Sequence, residues 1–146
     1  MENKYFVDTN FLLSLVLSTH PNHSSSRDFF LLYQETSQFI ICRSVQISFL
    51  RLLTQKLDPN YIPLSNKEAL IELDKIMKIP NFILLQETEN DLNNWTHFAV
   101  HKFPSPHLWM DAYLAYFSFH YNLVLLTYDK GFLQWKKEGV KVKLIV

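Results

Sequence analysis

Three aspartates of the chain lie within or directly after apolar segments, where an ionised carboxylate is costly unless something compensates it. Asp8 ends a short apolar stretch, Asp129 follows a longer one, and Asp111 lies inside an apolar, helix-like segment. Each has an ordinary explanation when it is taken alone: Asp8 could be a helix N-cap, Asp129 a turn residue and Asp111 part of a solvated helix face. Unpaired carboxylates gathered in one place instead indicate a bound hard cation. If the fold brings the three together, the sequence predicts a divalent-metal site and phosphate chemistry.

The elements that must position these aspartates alternate between strands and helices. Short apolar segments predict strands at about 4–8, 38–42, 82–86, 123–127 and 141–146. Helical patterns lie at 10–18, 22–36, 44–57, 65–78, 88–102 and 107–121. Ser65-Asn66-Lys67-Glu68 is a capping box, and Thr88-Glu89-Asn90-Asp91 resembles one. This alternation predicts an α/β fold of three layers, with a central parallel sheet of about five strands and helices on both faces.

The predicted sheet suggests where the three aspartates meet. Parallel sheets bind ligands beyond the carboxyl ends of their strands. Asp8 ends the first predicted strand, Asp129 lies just beyond the fourth, and Asp111 lies near the start of the helix that leads into the fourth. All three can therefore face one crevice, although the order of the strands is not visible in the sequence.

Composition narrows the classes of function. With 146 residues the chain predicts one domain, residues 1–146, and no apolar run approaches the roughly 20 residues of a membrane span. Zero net charge argues against a non-specific nucleic-acid coat protein but not against a nuclease. Two glycines exclude a glycine-rich phosphate loop. The single Cys42 excludes an internal disulfide, and the lack of a leader pattern leads us to expect a cytoplasmic protein.

Five short motifs carry a resemblance to a known family. They are Val7-Asp8-Thr9-Asn10-Phe11-Leu12-Leu13, His20-Pro21-Asn22-His23, Ser48-Phe49-Leu50-Arg51-Leu52-Leu53-Thr54, Asp111-Ala112-Tyr113-Leu114-Ala115 and Thr127-Tyr128-Asp129-Lys130-Gly131-Phe132. Through these motifs, which occur in the order that the family has, the chain resembles the PIN-domain ribonucleases, in particular the VapC toxins of toxin–antitoxin pairs. The resemblance runs from residue 7 to residue 132 and implies a PIN-like fold.

The resemblance implies an RNA-cleaving enzyme that depends on Mg²⁺ or Mn²⁺. Asp8, Asp111 and Asp129 would be both the catalytic residues and the metal ligands, and a metal-activated water would hydrolyse the phosphodiester. Asn10 and Thr127 would orient the carboxylates. Arg51 and Lys130 are possible contacts for the RNA backbone, although a salt bridge for Arg51 and a solvated turn for Lys130 explain them equally well or better. The resemblance also implies a VapB-type antitoxin partner and a homodimer.

One residue departs from the family pattern. Most PIN enzymes carry a second acidic residue at the start of the second helix, where this chain has Gln46. Glutamine supplies an oxygen but no charge, so we expect weaker metal binding and leave open whether one or two ions bind. Gln46 and the zero net charge also support an alternative, a PIN-like module that binds RNA or protein without catalysis. A third class, in which Asp8 is a phosphoryl-accepting nucleophile, requires an aspartate where Asn10 stands.

Overall fold

The computed structural model describes residues 3–87 and 94–146. Five parallel strands form one sheet in the order β3-β2-β1-β4-β5. Their bounds are Asn3–Val7 for β1, Ser37–Ile41 for β2, Phe82–Leu84 for β3, Val124–Thr127 for β4 and Lys141–Leu144 for β5. The predicted parallel sheet of about five strands is therefore confirmed, and the structure adds the strand order.

Five α-helices in the described residues connect these strands. They are α1 (Thr9–Val16), α2 (His23–Tyr33), α3 (Arg43–Leu53), α4 (Asn66–Met77) and α5 (Leu108–His120). The capping box at the start of α4 is confirmed: the Ser65 hydroxyl accepts from the Glu68 N–H, and the Glu68 carboxylate accepts from the Ser65 N–H. None of the helices in the described ranges is long and apolar enough to cross a membrane.

Aromatic packing shows how the helices cover both faces of the sheet. Neighbouring residues of a strand point to opposite faces. Tyr5 of β1 packs against Phe29 of α2, with ring centroids 5.2 Å apart, whereas Phe6 stacks on Phe117 of α5 at 4.7 Å. The helices thus lie on both sides of β1, and the three-layer α/β/α prediction is confirmed.

Two segments differ from the sequence prediction. The helix expected over 88–102 is, in its described part, only the 3-10 helix Trp95–Ala99, and the predicted capping box at 88–91 lies outside the described residues. A second 3-10 helix, Lys130–Glu138, was not predicted. The two segments pack together, because the Trp135 indole N–H donates to the Phe98 carbonyl (3.0 Å) and the two rings stack. Short elements of this kind depend on such tertiary contacts rather than on local sequence periodicity.

Candidate active site

The site lies where the strand order of the sheet reverses. The chain leaves β1 toward β2 on one side and returns through β4 on the other. The connections that leave β1 and β4 at their carboxyl ends therefore run to opposite sides. This leaves a crevice between the two strand ends, which is where α/β sheets bind ligands. Asp8 directly follows β1, and Asp129 follows β4 by two residues. The strand order thus brings two of the predicted aspartates to one crevice.

Asp8 is held rigidly at the end of β1. Its backbone N–H donates to the Leu126 carbonyl of β4 (3.0 Å). One carboxylate oxygen, Oδ1, accepts from the Thr9 N–H (2.7 Å), so Asp8 is the N-cap of α1. The other oxygen, Oδ2, accepts from the Thr127 hydroxyl of β4 (2.7 Å). Asp8 has only 6% of its surface exposed, and two hydrogen bonds fix the orientation of its carboxylate.

The loop after β4 places Asp129 through the same threonine. The Asp129 N–H donates to the Thr127 hydroxyl oxygen (2.9 Å), so Thr127 connects the two aspartates. Asp129 Oδ1 accepts from the Gly131 N–H (2.8 Å). A Cβ atom at position 131 would lie 3.0 Å from that oxygen, closer than real Cβ contacts usually are. The absent side chain of Gly131 therefore allows this turn to close on the carboxylate.

Asp111 completes the acidic group from the first turn of α5. Its pKa is raised from 3.8 to about 6, first by burial and then by the negative charges of Asp129 and Asp8, while His107 acts in the opposite direction. The charges of the three carboxylates therefore act on one another. The pKa of Asp8 is also raised, chiefly by burial and with a contribution from Asp129, although the hydrogen bonds from Thr127 and Thr9 oppose the rise.

The three aspartates give the crevice an excess of negative charge. Within residues 3–87 and 94–146 no ion pair involves Asp8, Asp111 or Asp129, and the pairs of Lys75 with Glu72 and of Lys78 with Asp74 lie on or at the end of α4. Oxygen donors of this charge suit Mg²⁺ or Mn²⁺. In the same ranges no three His, Cys, Asp or Glu side chains stand at ligand spacing. Binding of one ion by all three carboxylates would therefore require the Asp111 or Asp129 side chain to move closer to Asp8.

Gln46 occupies the position at which the resemblance leads us to expect a glutamate. It lies in the first turn of α3 with 5% of its surface exposed. Its side-chain oxygen accepts a hydrogen bond from the Arg43 guanidinium (2.6 Å). The oxygen that the sequence suggested as a metal ligand is therefore already bonded to a cation. Sequence reasoning missed Arg43, although residues three apart on a helix are neighbours and the pair could have been noticed.

Lys130 and Asn10, which the sequence also pointed to, are related to the three aspartates in different ways. Lys130 follows Asp129 directly and is exposed. Asn10 is exposed and lines a cleft with His20 and Tyr61, but in the described part of the chain no hydrogen bond joins its side chain to an aspartate. The predicted orienting role of Asn10 is thus not seen.

Arg51 lines a different part of the surface from the three aspartates. It is on α3 about 12 Å of helix rise beyond Arg43. There it lines a groove between α3 and α4 with Asn66 and Leu70. The structure does not bring Arg51 to the crevice.

A hydroxyl cluster that the sequence did not indicate supports the loop after β4. The Tyr128 hydroxyl lies 2.7 Å from the hydroxyls of both Ser25 and Ser26 on α2. Ser26 in turn bonds to the Ser14 hydroxyl of α1. Tyr128 stands between Thr127 and Asp129, so this cluster ties the loop that carries Asp129 to two helices. Serines dispersed over α1 and α2 give no local signal for such a contact.

The fold and the crevice together define an α/β protein whose acidic site lies at the switch point of a parallel sheet. A PIN domain family model matches residues 5–138. Ribonuclease VapC41 of Mycobacterium tuberculosis is 34% identical over 142 residues, which cover 94% of this chain and 96% of that protein. The chain therefore belongs to the PIN-domain family and, within it, to the VapC group, as the resemblance predicted.

Two solved structures share the fold at low sequence identity. VapC20 of Mycobacterium tuberculosis, described as a sarcin-ricin loop cleaving toxin, has a TM-score of 0.68 and 12% identity and covers 89% of this chain and 93% of its own. VapBC2 of Rickettsia felis, bound to a DNA fragment from its promoter, has a TM-score of 0.66 and 12% identity and covers 98% of this chain and 99% of its own. At these identities the likeness shows the fold alone.

Proposed function

We propose that this protein is a metal-dependent endoribonuclease and the toxin of a VapBC-type toxin–antitoxin pair. One observation carries the proposal: three carboxylates act on one another at the switch-point crevice, and no described ion pair compensates their charge. The 34% identity to Ribonuclease VapC41 over almost the whole chain supports RNA as the substrate.

The residues of the chain have distinct parts in the proposed reaction. Asp8, Asp111 and Asp129 hold Mg²⁺ or Mn²⁺ through carboxylate oxygens, directly or through water. When bound, the ion lowers the pKa of a water ligand and neutralises charge on the reacting phosphate. Thr127 holds the Asp8 carboxylate and, through its hydroxyl oxygen, the backbone of Asp129, so one residue supports both aspartates before the ion arrives. Lys130, which is exposed and directly follows Asp129, would contact the RNA backbone.

We also propose the partners that the family suggests. The Rickettsia felis neighbour is described as a VapBC assembly, and its toxin-like fold supports a VapB-type antitoxin as the partner of this chain. A homodimer and a cytoplasmic location, where RNA substrates occur, complete the proposal. The antitoxin is tested by looking for a small open reading frame next to the gene and, where there is one, by co-expression and affinity purification of the pair; a protein that does not co-purify with its neighbour would count against this partner. Size-exclusion chromatography with light scattering tests the dimer.

Substitution of the aspartates tests the activity. Purified protein is incubated with cellular RNA in Mg²⁺, Mn²⁺ or EDTA, and the products are separated on denaturing gels. We expect cleavage with either metal, none in EDTA, and none from Asp8→Asn or Asp129→Asn. Asp28→Asn, at an exposed position of α2, is the matched control and should cleave as the wild type does. Metal-independent cleavage, or full activity in both site variants, would refute the proposal.

A specific contact favours a second candidate function. The neutral Gln46 bonds to Arg43 where most PIN enzymes have an acidic residue, which is consistent with a PIN-like module that binds RNA or protein without cleaving it. Calorimetric titration with Mn²⁺ separates the two functions. Binding in the micromolar to millimolar range favours the enzyme, whereas no heat at millimolar Mn²⁺ favours the binding module.

A further inference from the structure

Two large aromatic side chains are exposed in the segment that leads into and begins α5, the helix that carries Asp111. Phe103 has 71% of its surface exposed and Trp109 has 58%. His101, Lys102 and His107 lie in the same stretch of chain and are also exposed. We call these five residues the 101–109 patch. Burying such rings normally stabilises a fold, so rings left in water beside a candidate site are a reason to look for a ligand.

Contacts with neighbouring residues hold the rings of the patch in place. Trp109 packs edge-on against Trp95, with ring centroids 6.3 Å apart. The His101 Nδ1 atom accepts a hydrogen bond from the Phe103 N–H (3.2 Å), and the two rings lie 6.1 Å apart. Val100 joins His101, Lys102 and Phe103 in lining an open groove of about 460 Å³. A ligand would therefore meet preformed aromatic surfaces at little entropic cost.

The patch continues into the candidate active site. Trp109 lies in the first turn of α5 together with Asp111. His107, the N-cap residue of the same helix, stands one turn before Asp111, and its charge acts on the Asp111 carboxylate. A strand held at the crevice by one phosphate would thus have its neighbouring nucleotides near the end of the patch that Trp109 and His107 form.

Charge distinguishes this part of the molecule from the rest. Residues 94–110 contain no aspartate or glutamate. From residue 94 to residue 146 the acidic residues are Asp111, Asp129 and Glu138, against six lysines. Two of those three acids belong to the candidate metal site. Although the chain as a whole has zero net charge, residues 94–146 carry twice as many lysines as acidic residues, so this part is complementary to a polyanion even without a bound ion.

We propose that the 101–109 patch binds the unpaired nucleotides next to the scissile phosphate, with bases stacked on Phe103 and Trp109 and phosphates near Lys102 and the histidines. The proposal rests on the ribonuclease function proposed above and extends it to single-stranded RNA as the bound form. Exposed rings next to a cation, here Lys102, are a combination that holds unpaired bases, since every base has a face to stack and every nucleotide has a charge. A purely apolar partner would gain nothing from Lys102.

Binding measured without cleavage tests the proposal. A fluorescein-labelled 12-nucleotide RNA of mixed, non-self-complementary sequence is titrated with the full chain in EDTA, and its anisotropy gives Kd. We expect Trp109→Ala and Phe103→Ala each to raise Kd by roughly 5- to 100-fold, and Trp109→Phe to retain most of the affinity. Leu32→Ala, at a position of α2 that is 70% exposed, is the matched control and should bind as the wild type does.

Salt dependence tests the ionic part of the same surface. For single strands the slope of log K against log salt falls by about 0.7 for each phosphate contact that is removed. We expect Lys102→Gln to reduce the slope by about this amount, and Lys67→Gln, an exposed lysine of α4, to leave it unchanged. A blunt duplex of the same sequence should bind more weakly than the single strand, and the ring substitutions should affect it less.

The outcomes separate this proposal from the function on which it rests. Wild-type affinity in both alanine variants, in a protein that cleaves RNA, overturns the patch and leaves the ribonuclease intact. Equal losses for duplex and single strand overturn base stacking. If the variants bind RNA normally but lose self-association or antitoxin binding, the patch is a protein interface and the proposal fails. Wild-type protein that neither binds nor cleaves RNA refutes the proposed function itself.

Discussion

Replacing Asp111 by asparagine should stabilise the metal-free protein while abolishing its activity. Asparagine has nearly the shape of aspartate but no charge. In the folded chain the Asp111 carboxylate is partly buried near Asp8 and Asp129, and its pKa is about 6 instead of the ordinary 3.8. Folding therefore disfavours the ionised form, which is the form that a divalent cation requires. The substitution removes a cost to stability and, with it, a proposed metal ligand.

The sign of the effect follows from the two pKa values. Because the pKa of Asp111 is higher in the folded state than in the unfolded state, its contribution to stability is fully present below about pH 3.8 and is lost as the pH rises through about 6. A difference of this size corresponds to about 3 kcal/mol for a fully buried group. Asp111 is only partly buried, so solvent screening reduces it to about 1.5 kcal/mol. For a domain of this size that is a rise in Tm of about 3 to 6 °C.

Urea denaturation in EDTA, followed by circular dichroism, measures the difference. At pH 7.5 we expect Asp111→Asn to be more stable than the wild type, and at pH 4 we expect the two to differ little. Added Mn²⁺ should stabilise the wild type and not the variant. Asp28→Asn serves as the control for loss of an exposed carboxylate. A variant less stable than the wild type at pH 7.5, or equally stabilised by Mn²⁺, would show that Asp111 does not lie in a strained acidic group.

Three further substitutions test other parts of the account. Thr127→Val removes the hydroxyl that donates to Asp8, so we expect the free energy of unfolding at pH 7.5 to fall by about 1.5–3 kcal/mol. Urea denaturation measures this change, and Thr127→Ser, which keeps the hydroxyl, should be nearly as stable as the wild type. An unchanged free energy in Thr127→Val would contradict the role of this bond. Gln46→Glu adds a carboxylate and should tighten Mn²⁺ binding by about tenfold in calorimetry, and unaltered affinity would place this residue outside the site. Gly139→Ala should lower Tm by several degrees, because φ at this position is 98°, which alanine rarely adopts, and the added Cβ would lie 3.0 Å from the Phe119 ring. A Tm equal to that of the wild type would refute this strain.

Local patterns predicted most of the fold. The sequence pattern predicted the five strands to within a few residues, because the inner strands contain continuous apolar segments and the edge strand β5 alternates between lysine and apolar residues. The Ser65–Glu68 box marked the start of α4 because its two hydrogen bonds are local. The strand order was beyond reach, since it depends on which strands pair across the sheet. The 3-10 helix Lys130–Glu138 was missed for the same reason: buried Phe132 and Trp135 hold it through tertiary contacts.

The sequence predicted that the three aspartates come together, but it did not predict the contacts that hold them. Aspartates at strand ends are visible in a sequence, and parallel topology brings strand ends to one edge. The hydrogen bond from Thr127 to Asp8 joins residues 119 positions apart, so only the resemblance suggested it. The contact of Tyr128 with the serines of α2 had no signal at all. The bond of Arg43 to Gln46 was not predicted either, and it occupies one of the two acceptor positions of the oxygen that the sequence offered as a metal ligand.

Calorimetric titration of Mn²⁺ into the wild type and into Asp8→Asn, Asp111→Asn and Asp129→Asn tests the central claim most directly. The claim is that these three carboxylates form one divalent-metal site. It predicts saturable binding to the wild type and at least a tenfold loss of affinity in each of the three variants, while Asp28→Asn binds normally. Absence of binding to the wild type at millimolar Mn²⁺, or binding that none of the three substitutions weakens, would contradict it.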